Sequence, residues 1–451
     1  MKRIRFSTTQ IILLSFLLVI LVGSVLLALP ISSASGTAVP YLDALFTAAT
    51  STCVTGLVTL PTVSTWSVFG QIVILILIQI GGLGVITVMT GWMLLLNRKL
   101  GIGDRLLIQD AFNLNTMSGL VKFVRNVLFG TLVIEAIGAV LYMFVFIPDF
   151  GAKGIWISVF NSVSAFCNAG IDIVAENSLC NYATDPLINI TTSALVILGG
   201  LGYIVWWDVL RVVRSRSAKN RKIFRHLTLH SKIAITVTAG LLLAGTIIIF
   251  IFEYANPLTI GGMDLLDKIQ VSFFQSVTTR TAGFACVPQE NLTNASAAVS
   301  VILMLIGGSP VGTAGGMKTV TIAVLICSAF ATVRNKNSAA LFGRRISDDS
   351  MKKAVAVAVM FLMICTGSSI LLLATTGSAS VMDAVYEAVS ATATVGLSRN
   401  FTPTLNTFGK LIIIASMYFG RVGPISFAVA LGRRNKSQNI ISEPTEDISI
   451  G

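Results

Sequence analysis

One pattern recurs four times along this chain: an aromatic residue followed ten positions later by a glycine. The glycines are Gly56, Gly170, Gly283 and Gly396, separated by 114, 113 and 113 residues, and the aromatics are Phe46, Phe160, Phe273 and Tyr386. A period that regular means four copies of one structural unit.

The surroundings of the repeat set its solvent. Of 451 residues, 54% are hydrophobic and only 12% charged, so a soluble domain would have too much apolar surface to hide. The formal charge of +12 raises nucleic acid as a partner. Runs such as Gln71–Ile80 and Leu241–Phe252 exclude it, because they cannot sit in water beside a basic groove. Apolar stretches long enough to cross a bilayer fall at 11–30, 67–96, 124–147, 188–210, 233–253, 297–333, 354–376 and 408–431. Between the members of each pair lies a shorter piece, at 41–51, 156–166, 268–278 and 382–392, too short to span and ending near a repeat glycine.

The basic residues report orientation. Twenty-five of the 32 Lys and Arg fall before residue 11 or in 97–125, 211–232, 334–353 and 433–436, which places these segments and both termini in the cytoplasm. The opposite side keeps Asp43, Asp172, Glu176, Asp185, Asp264, Glu290, Asp383 and Glu387. They read either as an acidic vestibule that concentrates cations or as ordinary solvated loop charges. The six cysteines show no CxxC pairing, so a metal or redox framework is a weak reading.

Non-helical backbone at membrane depth is tolerated only where it lines a watery cavity or is buried in protein. A re-entrant helix entering from outside points its partially negative C-terminal end toward the membrane centre, which favours a cation there. The residues after it have carbonyls without helical partners, and a glycine takes positive φ without steric cost, so successive carbonyls can turn to one axis and replace a cation's water. The filter candidates are therefore Val54, Thr55 and Gly56; Asn168, Ala169 and Gly170; Thr281, Ala282 and Gly283; and Thr394, Val395 and Gly396. The competing account, four reused glycine C-caps, leaves the period and the short helices unexplained.

Through CVTGL, CNAGI, TRTAGF and TATVGL the chain resembles the Trk/Ktr/HKT potassium transporter superfamily over nearly its whole length. The resemblance implies an all-α membrane protein: eight transmembrane helices in four helix–pore loop–helix repeats around one pseudo-fourfold ion pore. Glycine in all four filters goes, in that family, with potassium selectivity, and serine in the first with sodium permeation. Starting directly at repeat one is similar to the Ktr membrane subunit. The resemblance also implies a homodimer in the lipid bilayer of the bacterial inner (plasma) membrane, with a cytosolic ring of RCK-type nucleotide-binding subunits docked on it. Potassium is the expected cargo, and sodium is a second ion to consider, as activator or coupling ion.

The chain divides accordingly into repeat one (1–122), repeat two with its basic loop (123–232), repeat three (233–353), repeat four (354–432) and a cytoplasmic tail (433–451). In repeat two, Glu135 is an intramembrane carboxylate, read equally as a functional group or as part of a packed seam. GGLG at 81–84 and GGLGY at 199–203 read as close helix packing or a bend, since a dinucleotide fingerprint must follow a strand and open a soluble helix. Repeat three is broken at Gly307, Gly308, Ser309, Pro310, Val311, Gly312, Thr313, Ala314, Gly315 and Gly316, where five glycines and a proline make a continuous helix improbable. Starting 24 residues after Gly283, this loop lies below the filter and reads as a gate, the place of the resembled family's gating loop. GTAGGMKT is not a phosphate loop, because Met317 stands where the second glycine belongs. Arg421, 25 residues after Gly396, is expected to hold the gate loop with Lys318 and to set a barrier to cations, or else to pair with a carboxylate. Arg280 precedes filter three and is expected behind it, since a charge aimed into the filter would block it.

The expected function is potassium uptake through a channel-like pore. A sodium-coupled potassium symporter on the same scaffold is the first alternative. An intramembrane enzyme would need His, Asp or Glu clusters within the spans, whereas His226 and His230 both lie in a cytoplasmic loop. A non-transporting receptor is the last alternative.

Overall fold

The computed structural model describes residues 7–96, 119–214, 223–336, 338–377 and 380–423, with positions 101, 103, 106 and 107. The basic N-terminus, most of 97–118, residues 215–222, the end of the last predicted span and the tail lie outside them. The described residues are helical apart from one two-stranded antiparallel ribbon, Ala340–Leu341 with Arg344–Arg345.

The same three-part unit occurs four times: a leading helix, a short helix and a returning helix. The leading helices are Thr8–Leu27, Leu120–Phe150, Leu229–Glu253 and Asp348–Thr375, each long and apolar enough to cross a membrane. The short helices are Tyr41–Cys53, Lys153–Cys167, Leu265–Thr278 and Val381–Thr392, within a few residues of the predicted segments. Local chemistry starts the returning helices. Ser67, Asp185, Thr293 and Asn406 accept from backbone N–H groups of the first turn, satisfying donors that would otherwise be orphaned.

Burial is inverted relative to a soluble domain. The leading helices expose Leu18, Phe129, Phe144, Leu243, Met363 and Ile370, while the short helices bury Thr50, Ser51, Asn161, Ser164, Gln275 and Ser390. Apolar residues outside and polar ones within suit a chain whose solvent is lipid.

Two predicted spans need correction. Stretches 67–96 and 188–210 are not single straight helices: Val68–Leu83 bends by 98° into Val85–Leu94, and Pro186–Leu201 by 93° into Tyr203–Arg214. The corners are Gly84 and Gly202, both with φ of +85°, outside the helical region. Sixteen residues give about 24 Å of helix, most of the ~30 Å hydrocarbon thickness, so the remainder of each stretch turns aside. The third returning stretch is broken as expected, into Asn294–Leu305 and Thr319–Val333.

Glycines near the ends of three returning helices serve close packing. A methyl built on Gly81 would overlap the Thr52 carbonyl oxygen, one on Gly199 the Phe166 carbonyl, and one on Gly420 the Thr392 carbonyl. In repeats one, two and four the returning helix therefore leans on the last turn of its own repeat's short helix with no room for a side chain. Gly81→Ala or Gly199→Ala is expected to cost roughly 1–3 kcal/mol and lower Tm in detergent. Gly240→Ala, whose added methyl meets nothing within 4 Å, is expected to leave Tm unchanged or slightly raised.

Candidate ion path

Each short helix hands over to its loop in the same way. The first residue of each triplet takes the left-handed region, with φ of 55° at Val54, 60° at Asn168, 67° at Thr281 and 51° at Thr394. The third is the repeat glycine, again with positive φ: 104°, 63°, 84° and 95° from Gly56 to Gly396. Two such turns within three residues swing successive carbonyls away from the helix axis.

The four triplets meet. A methyl built on Gly56 would lie 2.6 Å from the carbonyl oxygen of Ala169, one on Gly170 2.6 Å from that of Ala282, and one on Gly283 2.6 Å from that of Val395. One on Gly396 would overlap the carbonyl of Thr55. The contacts run from each repeat to the next and from the fourth back to the first, so the glycines and the carbonyls preceding them share one cyclic arrangement.

Hydroxyls behind the loops hold them, and these were missed in the sequence. Thr50 Oγ1 accepts from Gly56 N at 3.0 Å, Ser164 Oγ from Ile171 N at 3.2 Å and Ser390 Oγ from Gly396 N at 3.1 Å. Each sits six residues before its glycine, a signal that superposing the repeats would have exposed. Repeat three differs: Val277 occupies that position and Thr278 Oγ1 donates instead to Phe284 O at 2.6 Å. Of the repeat aromatics, Phe46, Phe160 and Tyr386 are fully buried and Phe273 partly so.

On one side of the glycines lies a vestibule of about 480 Å³ lined by all four of them and by Asp172, Glu176 and Glu290. The other outer carboxylates are engaged elsewhere or absent from that lining. Asp43 pairs with Lys410 at 2.5 Å and Asp383 with Arg399 at 2.8 Å. Asp185 caps a helix, and Glu387 is buried against the hydroxyls of Ser398 and Thr402. Burial pushes the Asp172 carboxyl up to about 6, against the opposing hydrogen bonds from Ser178 and from the backbone N–H groups of Val174 and Ala175.

Against the first residues of the triplets runs the broken stretch. Its ends are tied by Gly307 N to Met317 O at 2.9 Å and Thr319 N to Gly308 O at 3.0 Å. Its middle is stitched to the second returning helix, with Ser309 N donating to Gly200 O at 2.8 Å, Thr313 N to Gly199 O at 3.1 Å and Tyr203 N to Val311 O at 3.0 Å. It also touches the triplets: Thr313 Oγ1 reaches Asn168 Oδ1 at 3.1 Å, and a methyl on Gly315 would overlap the Thr394 hydroxyl.

Three cations converge on this loop. Arg421 donates to the carbonyls of Thr313, Gly81 and Gly82, Lys318 Nζ to Ala314 O at 2.6 Å, and Arg280 Nη2 to Gly307 O at 2.8 Å. Arg421 makes no carboxylate pair among the described residues. Arg280 is buried and aimed at the loop's first residue. Glu135 is buried as well, accepting from Gln79.

Comparison with known proteins fits this geometry to a family. The TrkH profile, described as a cation transport protein, matches residues 3–442. The Potassium/sodium uptake protein NtpJ of Enterococcus hirae is 38% identical, over 100% of this chain and 98% of its own. The Ktr system potassium uptake protein B of Bacillus subtilis is also 38% identical, again over 100% and 98%. Among solved structures, the potassium transporter TrkH from Vibrio parahaemolyticus superposes with a TM-score of 0.75 at 15% identity, covering 96% of this chain and 86% of that one. These relatives are transporters and not enzymes, which removes the intramembrane-enzyme reading. The chain belongs to the TrkH family of cation transport proteins.

Proposed function

We propose that this protein takes up potassium through a channel-like pore, with the four glycine triplets as its selectivity filter and the loop 307–316 as its gate. The observation that carries this is the cyclic approach of each repeat glycine to the carbonyl of the next repeat. Backbone oxygens presented by four loops supply the same chemistry whatever the side chains, which is why Val54, Asn168, Thr281 and Thr394 differ while the glycine recurs. The eight-span, pseudo-fourfold arrangement follows if each repeat contributes a leading helix and a bent or broken returning one. Both termini then lie in the cytoplasm. The full assembly is a homodimer with one pore per protomer under a cytosolic nucleotide-binding ring.

The names of the relatives support the cargo, potassium in one and potassium with sodium in another. The second of these keeps sodium coupling as the rival mechanism. Potassium-gradient flux into proteoliposomes of the purified chain, with and without sodium, tests both. Potassium-selective flux that needs no sodium supports the channel reading; flux that appears only with sodium supports the symporter. Silence even after Gly307–Gly316 is shortened would sink the channel reading.

The vestibule carboxylates concentrate cations at the filter mouth. Because Asp172 titrates near 6, it is charged at neutral pH and loses its charge as external pH falls through that value. Uptake from dilute potassium is therefore expected to decline across this window. Asp172→Asn should start from the lower rate and lose that part of the decline; an unchanged profile would remove Asp172 from the vestibule's field.

A further inference from the structure

Repeat three lacks the hydroxyl that steadies the loops of the other three, and a different set of polar groups stands around its own. Val277 takes the place of Thr50, Ser164 and Ser390, and Gly283 N reaches the Thr278 carbonyl at 3.5 Å. Eight residues before the repeat glycine, where the others carry Ala48, Ser162 and Ala388, this repeat has Gln275. Gln289 stands six residues after the glycine. Ten residues before the glycine of repeat four stands Tyr386, the one repeat aromatic with a hydroxyl.

These three residues meet. Gln275 Nε2 donates to Gln289 Oε1 at 2.7 Å, and Gln289 Nε2 donates back to Gln275 Oε1 at 3.1 Å. Gln289 Nε2 also donates to Val287 O at 2.8 Å, which sets the direction of the amide, and Tyr386 Oη donates to Gln289 Oε1 at 3.0 Å. Both donors and both acceptor positions of the Gln289 amide are thereby used. All three side chains are buried, so moving Gln289 leaves several polar groups unsatisfied at once and the junction resists displacement.

The network brackets two triplets. Gln275 lies on the short helix that leads to the third triplet, whereas Val287 and Gln289 lie on the chain leaving it, so the amide pair closes the loop that carries Thr281, Ala282 and Gly283. Tyr386 belongs to the short helix of repeat four, whose Ser390 Oγ accepts from Gly396 N at 3.1 Å. The frames it joins hold backbones so close that a methyl on Gly283 would lie 2.6 Å from the Val395 carbonyl oxygen.

We propose that Gln275, Gln289 and Tyr386 are positioning residues that fix the spacing of the third and fourth triplets and so act on which cation their carbonyls accept. Discrimination between potassium and sodium depends on how carbonyl oxygens replace the ion's water, and a junction that yields relaxes that arrangement. This deepens the filter reading above and rests on it.

The test is ion-competition flux into proteoliposomes of the full chain, with Tm in detergent measured alongside. Tyr386→Phe supplies the residue type of the other three repeats and removes one oxygen; it is expected to cut the preference for potassium over sodium at least about threefold. Gln289→Met, which opens the amide pair as well, is expected to cut it further. Tyr142→Phe is the comparison, since the Tyr142 hydroxyl is also buried and shares a hydrogen bond with Thr192 at 2.6 Å, between the leading and returning helices of repeat two. It is expected to lower Tm comparably and leave the preference unchanged. The inference is overturned if Tyr386→Phe keeps the wild-type preference, or if Tyr142→Phe lowers it equally, because the effect then follows lost stability and not place. Should Gln289→Met not reach the membrane, Tyr386→Phe decides alone. Gly283→Ser separates the two readings. If it leaves the preference intact, the filter reading fails; if it removes the preference while Tyr386→Phe keeps it, only the role of the network fails.

Discussion

Gly56→Ser is expected to cut the preference for potassium over sodium at least about tenfold, the equivalent of ~1.4 kcal/mol, while the protein still reaches the membrane. Gly56 has φ of 104°, where a side chain costs on the order of 1–2 kcal/mol. Its added Cβ would also lie 2.6 Å from the Ala169 carbonyl oxygen, one of the oxygens proposed to line the filter. Relief requires the second loop to retreat or the first to turn its carbonyl away, and either leaves a dehydrated potassium ion short of oxygens. Sodium, which holds its water more firmly, loses less from a loosened ring. Ion-competition flux in proteoliposomes reads the ratio directly; an unchanged ratio would remove the triplets from selectivity.

Arg421→Ala is expected to raise closed-state potassium flux at least about tenfold. Its guanidinium joins Thr313 of the broken loop to Gly81 and Gly82 of the first returning helix, so one side chain ties the loop to a second segment of the chain. Hydrogen bonds from a charged donor contribute roughly 1.5–3 kcal/mol each, and their loss frees the loop's middle while Lys318 and Arg280 still hold its end and its start. Removing the charge also removes repulsion toward a passing cation. Arg421→Lys is expected to fall between, since an ammonium carries the charge but not the planar fork that reaches carbonyls on two segments. Closed-state flux unchanged in Arg421→Ala would dismiss the clamp and the barrier together.

Much of the architecture was legible because it rests on local chemistry. The glycine period located four loops, and the shortness of 41–51, 156–166, 268–278 and 382–392 separated the short helices from the long ones. Five glycines and a proline between residues 307 and 316 announced the broken helix. The bends after Leu83 and Leu201 were only half legible. GGLG signalled a bend or close packing, yet the hydropathy of the stretch ran on through the corner and suggested a straight span.

What stayed hidden depends on partners far apart in sequence. Asp43 reads like Asp172 until Lys410, 367 residues away, is found beside it. Arg421 was expected to hold the broken loop, yet that it also reaches Gly81 and Gly82, some 340 residues away, is seen only in the fold. The sequence by itself determined four repeats, a membrane solvent and a glycine ending each short loop, because periodicity, hydropathy and the steric freedom of glycine are properties of the chain. Tertiary structure decided which carboxylates face the vestibule, which carbonyls Arg421 joins and what surrounds Glu135, because charge pairing and close approach are set by distances in space that no local pattern encodes.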